Sequence, residues 1–370
     1  MRKSLLNIFR FGIKELRILS RDKVMMILIA WSFSFAIYVG ATSASVELHK
    51  APVAFVDHDR STLSQRLVDA FTPPYFKMEG VITAEQMDAG MDAGAYTFVV
   101  VLPPGFERDV LRGKVPDIQL NIDATRMTQA GIGAGYISQI LTNEVAAFLQ
   151  QQDIALPVEL ITRMKYNPTL ESTWFGSIME IINNIALLSI MLAGAALIRE
   201  REHGTLEHLL VLPVSATEIM LGKVWSMTLV VLAAVSFSLL FVVEGVLHVP
   251  LSGSLPLFLG GVLITLFSTT SLGILMGTIA RTMPQFGLIF IMTILPIMIL
   301  SGTITPYESM PEALQYLMHL VPTSHFVSFA QAVLYRGAGF DIVWDEMLRV
   351  FAIGMVYFLF SLSIFKRSLR

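Results

Sequence analysis

The chain has 370 residues, 54% of them hydrophobic and 15% charged, with a net charge of -3. Soluble globular proteins carry roughly 25% charge, so the composition excludes a soluble enzyme, a disordered chain and a nucleic-acid binder with a basic surface. It leaves a polytopic membrane protein, in which each helical span needs about 20 apolar residues. With no cysteine, disulfides, thiol nucleophiles and zinc-thiolate sites are excluded as well.

Residues 1–23 read as a cytoplasmic amphipathic helix lying in the membrane interface. Leu5, Ile8, Phe9, Gly12, Leu16 and Leu19 share one face. Arg10, Lys14, Arg17 and Arg21 occupy the other. A basic amphipathic helix ahead of a span settles on the inner leaflet, its cations toward anionic headgroups. The first span is expected over 24–46, an apolar run too long for a cleavable signal peptide.

Residues 47–174 form the one long connection and read as a domain of their own. Strand patterns at Pro52–Val56, Tyr75–Ile82, Ala95–Leu102 and Asp117–Asp123 alternate with helical ones at Ser61–Phe71, a capping box at Thr83–Gln86, Phe106–Arg112 and Thr128–Gln152. That alternation predicts a small α/β fold. Asp57-His58-Asp59 is the most metal-like triplet here, but adjacent residues in a turn rarely converge, and turn-forming carboxylates are the simpler reading. Gly131, Gly133 and Gly135 follow no strand, so they suit helix packing or a hinge better than a dinucleotide.

The remaining spans are expected near 175–198, 224–247, 257–280, 286–304 and 348–365, ending in a cytoplasmic tail at 366–370. Glu180, Asn183 and Asn184 in the second span and Glu244 in the third are candidates for a translocation path, or for hydrogen bonds between helices. Thr265, Ser268, Thr269, Thr270 and Ser271 give the fourth span a small polar face, suited to close packing or a dimer seam. Pro296 should kink the fifth. Residues 301–322 are too polar to cross and read as a re-entrant outer segment.

Lys and Arg set the orientation. They crowd before the first span, after the last, and at Arg199, Arg201, Lys223 and Arg281. With six spans all of these fall on the cytoplasmic side, both termini are inside, and residues 47–174 are periplasmic.

The loop 199–223 carries the most information. Gly204 permits a sharp reorientation. Thr205-Leu206-Glu207 opens a short helix with Leu206, Leu209 and Leu210 on one face, and Pro213 stops it. Ser215 and Glu218 have capping-box spacing for the next helix. A short, partly apolar helix displayed in the cytoplasm is a docking element. Gly222-Lys223 is followed by Val224, and Thr217 stands where a P-loop needs its first glycine, so no phosphate-cradling motif is present. His203 and His208, five apart on a helix, do not share a metal-binding face.

The run EREHGTLEHLLVLPVSATEIMLGK resembles the signature of ABC-2 type transporter permeases. Ser301-Gly302 to Pro306, Met310-Pro311 and Pro322-Thr323-Ser324-His325-Phe326 extend the resemblance along the chain. The resemblance implies a half-transporter of the bacterial inner membrane: two permease chains, identical or paralogous, with two cytoplasmic ABC ATPases that bind the ATP and Mg. It implies a coupling helix around Thr205–Leu210, with Glu200, Glu202, Gly204, Glu207 and Pro213 matching the family motif. It also implies outward export of drugs or other amphiphilic, lipid-like cargo, and a periplasmic domain that extends the exit path or docks a membrane-fusion adaptor. This chain itself is expected to be non-catalytic. A membrane receptor with a periplasmic ligand-binding domain is the alternative, disfavoured because four further spans go unused. A secondary transporter lacks its usual internal repeats here.

Overall fold

The computed structural model describes residues 2–43, 50–123, 127–151, 172–202, 204, 214–303 and 310–368. In chain order, α1 (Arg2–Arg21), α2 (Lys23–Ser32) and α3 (Phe35–Ser43) come first. Strand and helix then alternate through β1 (Ala51–Asp57), α4 (Thr62–Asp69), β2 (Phe76–Val81), α5 (Ala84–Asp92), β3 (Phe98–Leu102), α6 (Phe106–Leu111), β4 (Gln119–Ile122) and α7 (Met127–Gln151). Helices follow: α8 (Ser172–Glu202), α9 (Ala216–Phe237), α10 (Leu255–Ile279), α11 (Met283–Leu300), the short α12 (Glu312–Met318), α13 (Pro322–Leu334) and α14 (Phe340–Ser368). Residues 1–44 and 173–370 make one compact unit and residues 45–172 another.

Among the described residues of the helical unit, six stretches are long and apolar enough to cross a membrane: Lys23–Thr42, Thr173–Glu202, Ala216–Val246, Leu255–Ile279, Met283–Leu300 and Phe340–Arg367. The first is not continuous. Asp22 caps α2 by accepting the Met25 amide at 3.1 Å, and the helix breaks at Phe33-Ser34. There the Ser34 hydroxyl back-bonds to the Ala30 carbonyl, a contact that competes with the helical ladder. The third span ends in a π-helical segment, Ser238–Val246. The sixth starts at Phe340 and not at Leu348, because its first turns carry Asp341, Asp345, Glu346 and Arg349, which mask them in a hydropathy reading. Arg349 pairs with Asp345 and Glu346, each at 3.1 Å, and these pairs support the helix. Helix α11 runs through Pro296 without a break.

Helix α8 is the hub of this unit. Within the chain most of its apolar stretch is buried, whereas most of that of α11 is exposed. The Thr265–Ser271 hydroxyl face of α10 is spent inside the chain. All five side chains are buried, Thr269 accepts from Ser189 of α8 at 2.6 Å, and Thr265, Thr269, Thr270 and Ser271 bond carbonyls of their own helix. A dimer seam along this face is therefore excluded. The close approach depends on Gly273, where a Cβ would stand 2.3 Å from the Ile190 carbonyl oxygen.

The second unit is a four-stranded sheet in the order β2-β1-β3-β4, with β1 parallel to β2 and β3, and β3 antiparallel to β4. Strand alternation divides its core. Val53, Phe55, Phe98 and Val100 pack with Leu63 and Leu67 of α4 and Ile137 and Leu141 of α7. Ala54, Val56 and Val99 face Met87 and Met91 of α5 on the other side. Gly80, at φ +118, takes up the register shift between β1 and β2 that follows Val53. Gly133 lies where a Cβ would meet the Phe98 ring at 2.2 Å, so it serves helix-on-sheet packing.

The carboxylates of Asp57 and Asp59 are used up by turns and caps. Asp57 accepts the amides of Asp59 and Arg60 at 2.9 Å and the Ser64 hydroxyl at 2.8 Å. Asp59 accepts the Glu107 amide at 3.0 Å, and Glu107 accepts the Leu63 amide at 2.8 Å. Ser61 caps α4 through the Ser64 amide at 3.1 Å. Ser61→Ala should cost about 1 kcal/mol of that helix. Hydrogen exchange of the Leu63–Gln65 amides in the intact chain should then quicken several-fold; unchanged protection would contradict the cap.

Candidate functional site

Helix α8 ends on Arg199-Glu200-Arg201-Glu202. Successive helical residues point about 100° apart, so four consecutive charges address four different neighbours. Arg199 pairs with Asp22 at the start of the first span. Glu200 turns toward α1 and α9. The Arg201 guanidinium donates to the carbonyls of Thr278, at 3.3 Å, and Ala280, at the end of α10. Glu202 accepts the Met283 amide at 2.7 Å and so caps α11. Gly204, at φ +66, then ends the helix in the left-handed conformation, its amide bonding the Arg201 carbonyl at 3.1 Å.

The centre of this arrangement is a four-charge cluster. Lys223 of α9 is 1% exposed. Its Nζ stands 2.9 Å from Glu15 of α1 and 2.8 Å from Glu200 of α8. The other Glu200 oxygen accepts from Lys14 of α1 at 2.8 Å. Two lysines and two glutamates thus compensate one another, which is the condition for burying charge at all. Burial pushes the Glu15 carboxyl above the usual carboxylate range, against the pull of Lys223. For Asp22 the direction is downward, because the Met25 amide and then Arg199 favour its charged form. A cavity of about 330 Å³ adjoins the cluster, lined by Leu19, Ala196 and Met227 together with Glu15, Arg199 and Glu200.

Helix α1 is fixed against α9 by more than charge. Trp225 donates to the Ile8 carbonyl at 3.0 Å and stacks on Phe9 with centroids 5.7 Å apart. A Cβ at Gly12 would stand 2.0 Å from the Trp225 ring. The packed stripe is therefore Ile8, Gly12, Glu15 and Leu19, while Leu5 and Phe9 keep more than half their surface exposed. Of the basic residues, Arg10, Arg17 and Arg21 are exposed and only Lys14 joins the cluster.

The other expected residues fall as follows. Thr205, Leu206, Glu207, Leu209, Leu210 and Pro213, with His203 and His208, lie outside the described residues. Ser215 and Glu218 form the capping box that opens α9. In the second span Asn184 donates to the Ser32 carbonyl at 2.9 Å, beside the break in the first span, and to Glu180 at 3.4 Å. Asn184 therefore ties α8 to the first span, while its bond to Glu180 stays within α8. Asn183 is buried and Glu244 is exposed on the π-helical segment. Among the described residues no group of three or more His, Asp or Glu is placed to hold a metal.

Glu15, Asp22 and the bonding roles of Arg199, Arg201 and Lys223 are not apparent from charge counting, which reads the basic residues only as topology. One signal is present in the sequence. Glu15 is the single acid in an otherwise basic helix and falls in register with Ile8, Gly12 and Leu19.

The family described as "ABC-2 family transporter protein" matches residues 24–363. The chain is 54% identical over 369 residues to "Inner membrane transport permease YhhJ" of Escherichia coli, covering 99% of both chains. It is 27% identical over 338 residues to "Probable multidrug ABC transporter permease YbhR" of the same organism, covering 90% of this chain and 91% of that one. For "Probable multidrug ABC transporter permease YbhS" the identity is 25% over 332 residues, covering 88% and 87%.

Proposed function

The chain belongs to the ABC-2 transporter family, and from that premise we propose that it is the permease subunit of an ATP-driven exporter of the bacterial inner membrane. Two permease copies, identical or paralogous, work with two cytoplasmic ABC ATPases, which supply the ATP hydrolysis and hold its Mg. Both termini lie in the cytoplasm, α1 rests at the inner interface, and the α/β unit is periplasmic, where it extends the exit path or docks an adaptor. The cargo class is drugs or other amphiphilic, lipid-like compounds, in line with the multidrug names of two relatives.

One observation carries this reading. The four charged residues that close α8, ahead of the 204–213 loop, bond separately to the first span, to α1 and α9, to α10 and to α11. A load placed on the loop by an ATPase therefore reaches four parts of the membrane unit through short, charge-assisted bonds. Glu207→Lys and Leu210→Asp place a reversed charge and a buried charge at the proposed docking face. Each should lower ATPase co-purification or transport-coupled hydrolysis by at least about ten-fold, the equivalent of about 1.4 kcal/mol. Unchanged coupling in both variants would remove the assignment. A receptor reading would require ligand binding by the α/β unit to persist as the only activity when no ATPase associates.

A further inference from the structure

His325 lies in α13, where its side chain is 7% exposed. Its Nδ1 is 2.7 Å from the Glu346 carboxylate of α14, and its Nε2 is 3.0 Å from the His319 carbonyl. Both partners are acceptors. A neutral imidazole carries a single N–H and can satisfy only one of them, whereas the imidazolium donates to both. The site is thus built around a protonated ring.

We propose that His325 is a proton-binding site that latches the 319–325 turn to the sixth span, so that proton loss frees one end of the latch. Placing this latch on the periplasmic side rests on the orientation proposed above; the latch itself does not.

The surroundings isolate the site. Helix α14 presents Glu346, and Arg349 and Asp345 through the Arg349 pairs. The His319 ring lies 5.8 Å from the His325 ring. Helix α10, which packs on α13 through Phe258 against Phe326 and Phe329, carries no titratable residue. On α12, Glu312 and Tyr316 are exposed. A second bond, from the Tyr357 hydroxyl to the Leu320 carbonyl at 3.1 Å, holds the same turn to α14 without depending on protons.

The direction of the response follows from the shift. The hydrogen bond to Glu346 raises the His325 pKa against burial, and the His319 carbonyl adds to the rise. A raised histidine stabilises the latch fully below its ordinary value of about 6.5 and loses that contribution as pH climbs through the raised one. The latch is therefore closed below that ordinary value and opens as pH climbs through the raised one.

Hydrogen exchange across 318–325 in the full chain, reconstituted in nanodiscs and corrected for the intrinsic pH dependence, tests this. Protection should fall several-fold between about pH 6 and about pH 9, with no such step in His325→Gln. Glu346→Gln removes the main cause of the rise, so its midpoint should move to lower pH. If His325→Gln does not fold, the Glu346→Gln midpoint still decides the matter. Flat protection in the unsubstituted chain, the same step in His325→Gln, or an unmoved midpoint in Glu346→Gln would each overturn the proposal. None of these readouts needs an ATPase, so failure here is separable from failure of the transport reading.

Discussion

Lys223→Met is expected to be the most damaging single change at the cytoplasmic end of the helical unit. Methionine keeps the length of the side chain and removes its charge. Glu15 and Glu200, 3% and 8% exposed, would then share one lysine, Lys14, which bonds only Glu200. Removing one partner from a buried ion pair costs about 3–5 kcal/mol, while replacing the pair with packed apolar groups is often neutral. The single variant should therefore show a sharply lowered thermal midpoint in detergent. Glu15→Leu combined with Lys223→Met should recover most of it, because the Lys14–Glu200 pair survives. A neutral Lys223→Met, or a double variant worse than the single, would mean the cluster is not compensated as described.

Gly273→Val is expected to come next. A Cβ at this position meets the Ile190 carbonyl oxygen at 2.3 Å and its Cα at 2.9 Å. These are backbone atoms, so relief requires moving the buried α8 away from α10. Overpacking of this kind costs about 1–3 kcal/mol and sometimes more. Gly273→Ala already incurs the clash and should lower the midpoint measurably, with valine lowering it further. Gly287, where a Cβ would meet nothing within 4 Å, is the control: Gly287→Ala should leave the midpoint unchanged. Equal effects at both positions would mean that α8 and α10 do not approach as closely as their backbones indicate.

Periodicity reveals some of this architecture and conceals the rest. The runs that form α8, α9, α10 and α11 are long and apolar, and hydropathy alone is enough to find them. The strand patterns around Phe76 and Leu120 are legible because their residues alternate, and those around Val53 and Val99 because a strand buried on both faces is a short apolar run between turn residues. Helix α13 is not legible that way. Its sequence, Pro322 to Leu334, is short and mixed with Ser and Thr, and it is helical because α10 and α14 bury nearly all of it. The break at Phe33-Ser34 is similarly hidden, since only the packed-in Asn184 shows what receives the Ser32 carbonyl.

The candidate site divides along the same line. Glu200 and Glu202 at the end of α8, with Gly204 after them, stand out by motif. The partners of Arg199-Glu200-Arg201-Glu202, among them Lys14, Lys223, Thr278, Ala280 and Met283, lie up to 186 positions away. No local pattern encodes a pairing at that distance, and a buried lysine looks in sequence like any other basic residue flanking a span. The motif thus marks the loop proposed above as the docking element, and the fold supplies the bonds that join the end of α8 to the rest of the helical unit.

Engagement of the loop after α8 by a separate ATPase is open to a direct chemical test. Because the chain contains no cysteine, a single introduced thiol is unique, and Leu210→Cys carrying a short cross-linker can be compared with Leu320→Cys in membranes holding the partner ATPase. A covalent adduct with the ATPase is expected from position 210 and none from position 320; an adduct from 320, or none from 210 while the ATPase remains associated, would contradict the coupling role of the loop.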